Sequence, residues 1–329
     1  MIKIALDAMG GDFAPEEIVK GALQAVKENT DIEIILVGQQ EEIQKLLQKY
    51  HAVDRISSVQ AAQVIGMDET PVQAVREKKD ASINVALKLL KDKKAQALVS
   101  AGNTGAFMAA SLFKLGRIPG VERPAIATVF PTGESIVLLL DMGANVDNKP
   151  KHLLQFGEMG SLYAEHVLHI QNPRVGLLNI GEEKEKGNEL TQASWDLLSK
   201  ANLNFIGNVE SKEVLAGKVD VVVCDGFVGN LMLKFAESVA GTVFNLLKQQ
   251  ISKSFMAKIG ALFLYPSFKA LRKKIDYDEY GGAPILGVNG ICIKAHGRAR
   301  AKAIKNAIRV AWEAAREDVV GCIKAVEGR

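Results

Sequence analysis

Short apolar runs, many of them rich in β-branched residues, recur along the whole chain. Most runs are continuous rather than alternating, a pattern typical of strands that are covered on both faces of a sheet. Between many of them, apolar residues recur every three or four positions, as on one face of a helix. The runs predict strands at 2–6, 32–37, 97–100, 125–130, 136–140, 175–180, 219–224 and 285–293, and helices at 15–27, 82–91, 104–114, 152–169, 188–200 and 299–318. This alternation predicts a layered α/β fold.

The chain has 329 residues, 48% of them hydrophobic, which suffices for a large core. No internal repeat, low-complexity tract or linker rich in Pro, Gly and Ser divides it, so we expect a single α/β catalytic domain over residues 1–329. A helical pattern begins at Val228 and continues past Lys248 to residue 274 before the chain returns to the sheet. This pattern predicts a helical arm at about 235–280.

Five of the predicted strands are followed directly by a turn that contains glycine together with Asp or Asn. The turns span residues 7–12, 100–105, 141–145, 179–187 and 224–230. In open α/β sheets, ligands bind beyond the carboxyl ends of the strands, glycine permits close approach of backbone N–H groups, and helix N-termini attract anions. Either the glycines only make tight turns, or the turns together form a pocket for phosphate or another anion. The second interpretation places phosphate or acyl binding at Gly10, Gly11, Gly102, Thr104, Gly105, Asn145, Gly229 and Asn230.

Several function classes lack their main sequence signature. The chain has no G-x-G-x-x-G, no P-loop, no G-x-S-x-G and no H-E-x-x-H motif. A net charge of only +3 argues against nucleic-acid binding, which needs a concentrated basic face. Three scattered cysteines without a CxxC predict neither a zinc site nor a disulfide framework, and favour the reducing cytoplasm. We therefore expect no metal and no cofactor.

Six motifs in one order carry a more specific signal. They stand at residues 7–12, 100–106, 141–145, 225–230, 281–287 and 294–297. With them, essentially the whole chain resembles the PlsX family, the phosphate acyltransferases of bacterial phospholipid synthesis. One departure is that Arg298 and Arg300 stand where the family pattern leads us to expect small residues.

The resemblance implies an enzyme that transfers a long-chain fatty acyl group from acyl carrier protein to inorganic phosphate, giving acyl phosphate and free carrier. It implies a three-layer αβα sandwich with a mostly parallel or mixed sheet, similar to isocitrate dehydrogenases and phosphotransacetylases. It also implies a homodimer. We further expect a cytoplasmic protein that associates peripherally with anionic membrane, with the glycerol-3-phosphate acyltransferase as downstream partner. From the residues alone, a phosphotransacetylase for small acyl thioesters and a non-enzymatic phosphate-binding scaffold remain open.

Three residues are candidates for catalysis, because attack on a thioester builds negative charge that donors and cations must stabilise. Lys184 could neutralise phosphate or act as a nucleophile, although the glutamates around it also fit a solvated charge run. Asn103 could donate to an oxyanion or simply cap a helix. His296 could move protons or be a packed side chain. The aspartates of the turns would repel phosphate, so we expect them to orient backbone N–H groups or lysines.

The predicted arm is both basic and apolar. Residues 248–274 contain seven Lys or Arg and no Asp or Glu, so all the net positive charge lies there. Apolar residues at helical spacing predict a membrane-interface face, with Pro266 interrupting the pattern at a tip. Dimerisation and docking of the acidic carrier protein are alternatives. The predicted membrane or partner contacts are Phe255, Leu262, Phe263, Leu264, Tyr265, Arg272, Lys273 and Lys274.

Overall fold

The computed structural model describes residues 1–51, 54–133, 135–275 and 279–328. Within them the strands are β1 Ile2–Asp7, β2 Ile32–Gly38, β3 Ile56–Gln60, β4 Ala97–Ser100, β5 Ala125–Ile126, β6 Thr128–Pro131, β7 Ile136–Leu140, β8 Val175–Leu178, β9 Phe205–Val209, β10 Val221–Val223, β11 Ala283–Leu286 and β12 Ile291–Lys294. The helices are α1 Glu16–Glu28, α2 Gln40–Lys49, α3 Pro71–Glu77, α4 Ser82–Lys91, α5 Thr104–Leu115, α6 Pro150–His166, α7 Glu189–Leu198, α8 Ser211–Leu215, α9 Gly226–Lys253, α10 Phe255–Ile275, α11 Ala301–Arg316 and α12 Val319–Glu327.

The described strands form two mixed sheets. The first has the order β3-β2-β1-β4-β12-β11-β5, and all its pairs are parallel except those made by β11. The second has the order β6-β7-β10-β8-β9, and only the β6–β7 pair is antiparallel. The α/β fold class is confirmed, but the apolar runs alone did not reveal that the strands divide between two sheets.

Continuous apolar strands result from burial on both sheet faces. On β1, Ile4 and Leu6 pack into the cluster that contains residues of α1 and α11, whereas Ala5 packs into the cluster on the opposite face with Leu87 of α4. A side chain at Gly21 would lie 2.6 Å from Cβ of Ile304, so α1 and α11 pack in close contact. Such double coverage favours parallel strands.

The segment between Ala125 and Pro131 connects the two sheets. β5 pairs with β11 in the first sheet, and β6 pairs with β7 in the second. The single strand predicted at 125–130 is therefore two strands, separated only at Ala127. This crossing places the carboxyl ends of strands from both sheets beside one another.

Two sequence predictions need correction. The apolar run at 285–293 is not one strand but the antiparallel pair β11–β12, because Gly287, with a φ of +87°, allows the chain to turn. The edge strands β3 and β9 were missed because most of their side chains are exposed or only partly buried, which leaves a weak hydrophobic signal.

The long helical region consists of α9 and α10, which contact each other. The break between them is at Ser254, whose extended backbone ends α9. Pro266 lies inside α10 and not at a tip, so that prediction was wrong. A proline inside a helix removes one backbone hydrogen bond and its ring clashes with the carbonyl four residues earlier, a cost of about 3 kcal/mol that this helix accommodates. Among the described helices, none combines the length and apolar character needed to cross a bilayer.

Candidate active site

The loops that follow β1 and β4 are in direct contact. Asp7 is buried and accepts a hydrogen bond of 2.7 Å from Oγ of Ser100, which accepts one of 3.1 Å from the backbone N–H of Gly102. A side chain at Gly10 would lie 2.5 Å from the Asp7 carboxylate and 2.7 Å from the Gly102 nitrogen. The two loops can therefore approach this closely only because both contain glycine.

The loop that follows β12 joins them from the other side of β4. The backbone N–H of Ala295 donates to the Ser100 carbonyl at 2.9 Å, and that of Asp12 donates to the Gly297 carbonyl at 2.8 Å. Lys294, the last residue of β12, is only 8% exposed, and its Nζ donates to the Ala295 carbonyl. Three loops of the first sheet thus surround one buried lysine.

Burial controls the protonation of this lysine. Desolvation lowers the pKa of Lys294 to about 8, although the carboxylates of Asp7 and Asp12 favour its charged form. Burial likewise raises the pKa of Asp7, against the hydrogen bonds that its carboxylate accepts. A lysine with a lowered pKa in a concave site is typical of functional sites.

The loops after β7 and β10 form the opposite side. The buried Asp141 carboxylate accepts hydrogen bonds from the backbone N–H groups of Ile126, Ala144 and Asn145 at 3.0, 3.0 and 2.7 Å, and from Nδ2 of Asn145 at 2.9 Å. A side chain at Gly229 would lie 2.0 Å from the Asp141 carbonyl oxygen. Asn145 and Gly229 are therefore held in the framework of the site.

These loops enclose one cleft between α5 and α9, with a volume of about 910 Å³ and the β5–β6 segment along it. Of the predicted residues, Thr104, Gly105, Asn230 and His296 line it, together with Lys294. Gly10, Gly11 and Gly102 shape the loops behind it: a side chain at Gly11 would meet Ala101 at 3.0 Å. Four of the five glycine turns therefore contribute to this cleft or to the loops behind it, whereas the turn at 179–187, which the sequence led us to expect there, does not.

Two predicted residues have other contacts. Asn103 caps α5 by accepting from the backbone N–H of Ala106 at 3.0 Å, and its Nδ2 donates to the Met67 carbonyl at 2.8 Å. Lys184 does not line the cleft: it pairs with Asp196 at 2.7 Å and lies 4.3 Å from the ring centre of Trp195. The loop that holds it follows β8, which is separated from β7 by β10.

Lys294 is the residue that sequence reasoning missed. Its signal was present in the sequence, because a lysine ends the apolar strand Ile-Cys-Ile-Lys, two residues before His296. His296 is exposed, and its Nδ1 accepts from the backbone N–H of Arg298 at 3.1 Å. When neutral, this histidine therefore carries its proton on Nε2.

The two arginines that depart from the family pattern have separate positions. Arg298 lines the cleft, with its Nε 4.0 Å from the Asp12 carboxylate. Arg300 lies over the ring of Phe13 at 4.4 Å. Over the described part of the chain, no group of three or more His, Cys, Asp or Glu side chains is arranged to hold a metal ion.

Comparison with known proteins identifies the family. The family model described as "Fatty acid synthesis protein" matches residues 2–321. A phosphate acyltransferase of Desulfitobacterium hafniense (strain DSM 10664 / DCB-2) is 58% identical over 324 residues, which cover 98% of this chain and 97% of that protein. The chain belongs to the phosphate acyltransferase family. Another member, from Heliobacterium modesticaldum, is 54% identical over 325 residues, again 98% of this chain and 97% of that protein.

Solved structures support the fold of this phosphate acyltransferase family member. A phosphotransacetylase from Streptococcus pyogenes superimposes with a TM-score of 0.65 at 16% identity, covering 96% of this chain and 94% of that one. The EutD phosphotransacetylase from Staphylococcus aureus gives 0.64 at 16% identity, with 95% and 94% covered. The resemblance inferred from the six motifs, and the phosphotransacetylase-like fold that it implied, are confirmed.

Proposed function

We propose that this acyltransferase moves a long-chain fatty acyl group from acyl carrier protein to inorganic phosphate, giving acyl phosphate and free carrier for phospholipid synthesis. The observation that carries the proposal is Lys294, a buried lysine in a cleft where backbone N–H groups and the starts of α5 and α9 converge. Such a site suits a phosphate and the oxyanion of a thioester under attack.

The proposed reaction is a direct transfer. A phosphate oxygen attacks the thioester carbonyl carbon, a C–O bond forms, and the C–S bond breaks as the carrier thiolate leaves. The proton of monohydrogen phosphate ends on the carrier thiol, and His296 at the cleft surface can relay it. The Lys294 ammonium stabilises the negative charge that accumulates on phosphate and carbonyl oxygen.

The direct test is release of free carrier thiol from a long-chain acyl carrier protein with and without added phosphate. We expect release to depend on phosphate and to produce acyl phosphate in equal amount. Equal release without phosphate would indicate a thioesterase, and preference for a short acyl coenzyme A would indicate a phosphotransacetylase. Phosphate binding without any turnover would indicate a scaffold.

The pH dependence of kcat/KM for phosphate should reflect the protonation of Lys294. Below pH 8 its side chain is charged and favours phosphate binding; above pH 8 the charge is lost, because the pKa of Lys294 is lowered to about 8. We expect kcat/KM for phosphate, which follows the free enzyme, to fall towards tenfold per pH unit above about 8. Lys294→Arg should remove this fall, since a guanidinium stays charged. A flat wild-type profile up to pH 10 would contradict the assignment.

The arm is proposed to bind the surface of an anionic membrane. The side chains of Phe255, Leu262, Phe263, Leu264 and Tyr265 are exposed, at 76% for Phe255 and 80% for Phe263. Exposed apolar side chains on a basic helix suit a membrane interface. The side chains of Arg272, Lys273 and Lys274 lie outside the described residues.

A double variant tests membrane binding. Phe263→Asp with Leu264→Asp should weaken binding to anionic vesicles at least tenfold in a flotation assay and leave thiol release in solution unchanged, because burial of the two apolar side chains is lost. Gln249→Asp with Ser252→Asp, on the exposed end of α9, adds the same charge without removing apolar surface and should retain most binding. Equal loss of vesicle binding in both variants would show that the added negative charge, and not the lost apolar burial, causes the effect.

We further propose a homodimer, and the glycerol-3-phosphate acyltransferase as the partner that receives the product. Support for an interface comes from large exposed apolar side chains on α9, including Leu231, Phe235 and Val243. Sedimentation equilibrium at micromolar concentration should give the mass of two chains. The mass of one chain at all concentrations would exclude the dimer.

A further inference from the structure

One face of α5 changes from polar to apolar along the cleft. Thr104 and Gly105 begin the helix, Met108 and Ala109 stand one turn further, and Leu112 another turn on; all five line the cleft. Residues four apart lie on the same side of a helix, so they form one stripe. From Thr104 to Leu112 it extends about 12 Å at 1.5 Å per residue. The cleft thus has a polar end beside Lys294 and an apolar end beside Leu112.

The facing wall carries apolar side chains as well. Ile126 and Val129 of the β5–β6 segment, Met142 after β7 and Leu233 of α9 line it. Lys234 and Glu237 of α9, an ion pair of 2.7 Å, also line the cleft. Met67 and Val72, which are 40% and 44% exposed, lie at the surface of the cleft near α3. An apolar groove continuous with a polar site suits a ligand with a charged head and a hydrocarbon chain, and methionines adapt to chains of varying shape.

We propose that the hydrocarbon chain of the acyl donor lies along this α5 stripe, with its thioester near Lys294 and its far end towards Leu112, and that Ala109 provides the room for it. The inference rests on the proposed function, since it presumes an acyl donor at the polar end. Ala109 is half-buried and has the smallest side chain among Met108, Ala109 and Leu112. A larger side chain at position 109 would project into the path of the hydrocarbon chain. A smaller one at position 112 would lengthen the space available to that hydrocarbon chain.

Two variants with opposite effects test the proposal. Ala109→Leu should lower kcat/KM for palmitoyl carrier protein relative to octanoyl carrier protein by about tenfold or more, because a single methylene in an apolar pocket changes kcat/KM by roughly 10- to 200-fold. Leu112→Ala should change the same ratio in the opposite direction. The KM for phosphate should remain within a factor of two in both. Thermal unfolding of each variant confirms that it is folded.

Phe113→Leu is the matched control on the same helix. Phe113 is exposed and lies under Arg76 rather than in the cleft, so the palmitoyl-to-octanoyl ratio should not change. If the variants fold and their palmitoyl-to-octanoyl ratios are unchanged, the proposed position of the acyl chain is overturned. In that case, phosphate-dependent thiol release by the wild type would still support the proposed function. Absence of that release in the wild type would reject the proposed function itself. If Ala109→Leu does not fold, Leu112→Ala alone decides.

Discussion

Replacing Lys294 with methionine is expected to reduce phosphate-dependent thiol release by about a hundredfold or more. Removing one group that stabilises an oxyanion typically costs two to three orders of magnitude. Methionine has a similar length and no charge, and Lys294 is already desolvated by burial. The variant should therefore fold normally while phosphate loses its buried cation. Steady-state kinetics at pH 7 with varied phosphate measures the loss of activity, and thermal unfolding checks that the variant is folded.

Lys184→Met is the matched control. The Lys184 side chain is exposed, pairs with Asp196 and lies outside the cleft. Surface ion pairs contribute little, so this variant should retain activity within about a factor of three. If Lys184→Met loses activity and Lys294→Met keeps it, the roles of the two lysines are reversed and the cleft is not the active site.

Replacing Asp141 with alanine should lower the free energy of unfolding by about 3 kcal/mol or more. Its buried carboxylate accepts four hydrogen bonds, one of them from Ile126 of the first sheet and the others from the loop after β7. Each buried donor left without a partner costs about 1–3 kcal/mol. The change also removes the hydrogen bond from Ile126, one of the bonds that link the two sheets beside the cleft. Urea denaturation followed by circular dichroism measures the loss.

Asp147→Ala tests whether the effect is specific to the buried carboxylate. Asp147 belongs to the same loop region but is exposed, so its replacement should change the free energy of unfolding by no more than about 0.5 kcal/mol. An Asp141→Ala protein that unfolds within 1 kcal/mol of the wild type would show that the four hydrogen bonds do not hold this corner of the site.

Local features of the sequence predicted most of the fold. The apolar runs identified β1, β2, β4 and β7 because strands covered on both faces need continuous hydrophobic side chains. The glycine turns identified the candidate site because close contact between loops excludes side chains at positions such as Gly10 and Gly229. The apolar runs depend on residues that are adjacent in the sequence, and each glycine meets a steric requirement at a single position. Both features can therefore be recognised without the tertiary structure.

The sequence by itself determined an α/β chain and predicted an anion site at its glycine turns. Only the tertiary structure decided which lysine belongs to that site. Lys184 and Lys294 both follow or end an apolar strand. Strand order separates them, because β12 lies beside β4 at the cleft and β8 lies beyond β10. Burial and the resulting pKa depend on neighbours that are distant along the chain, and no local pattern encodes them.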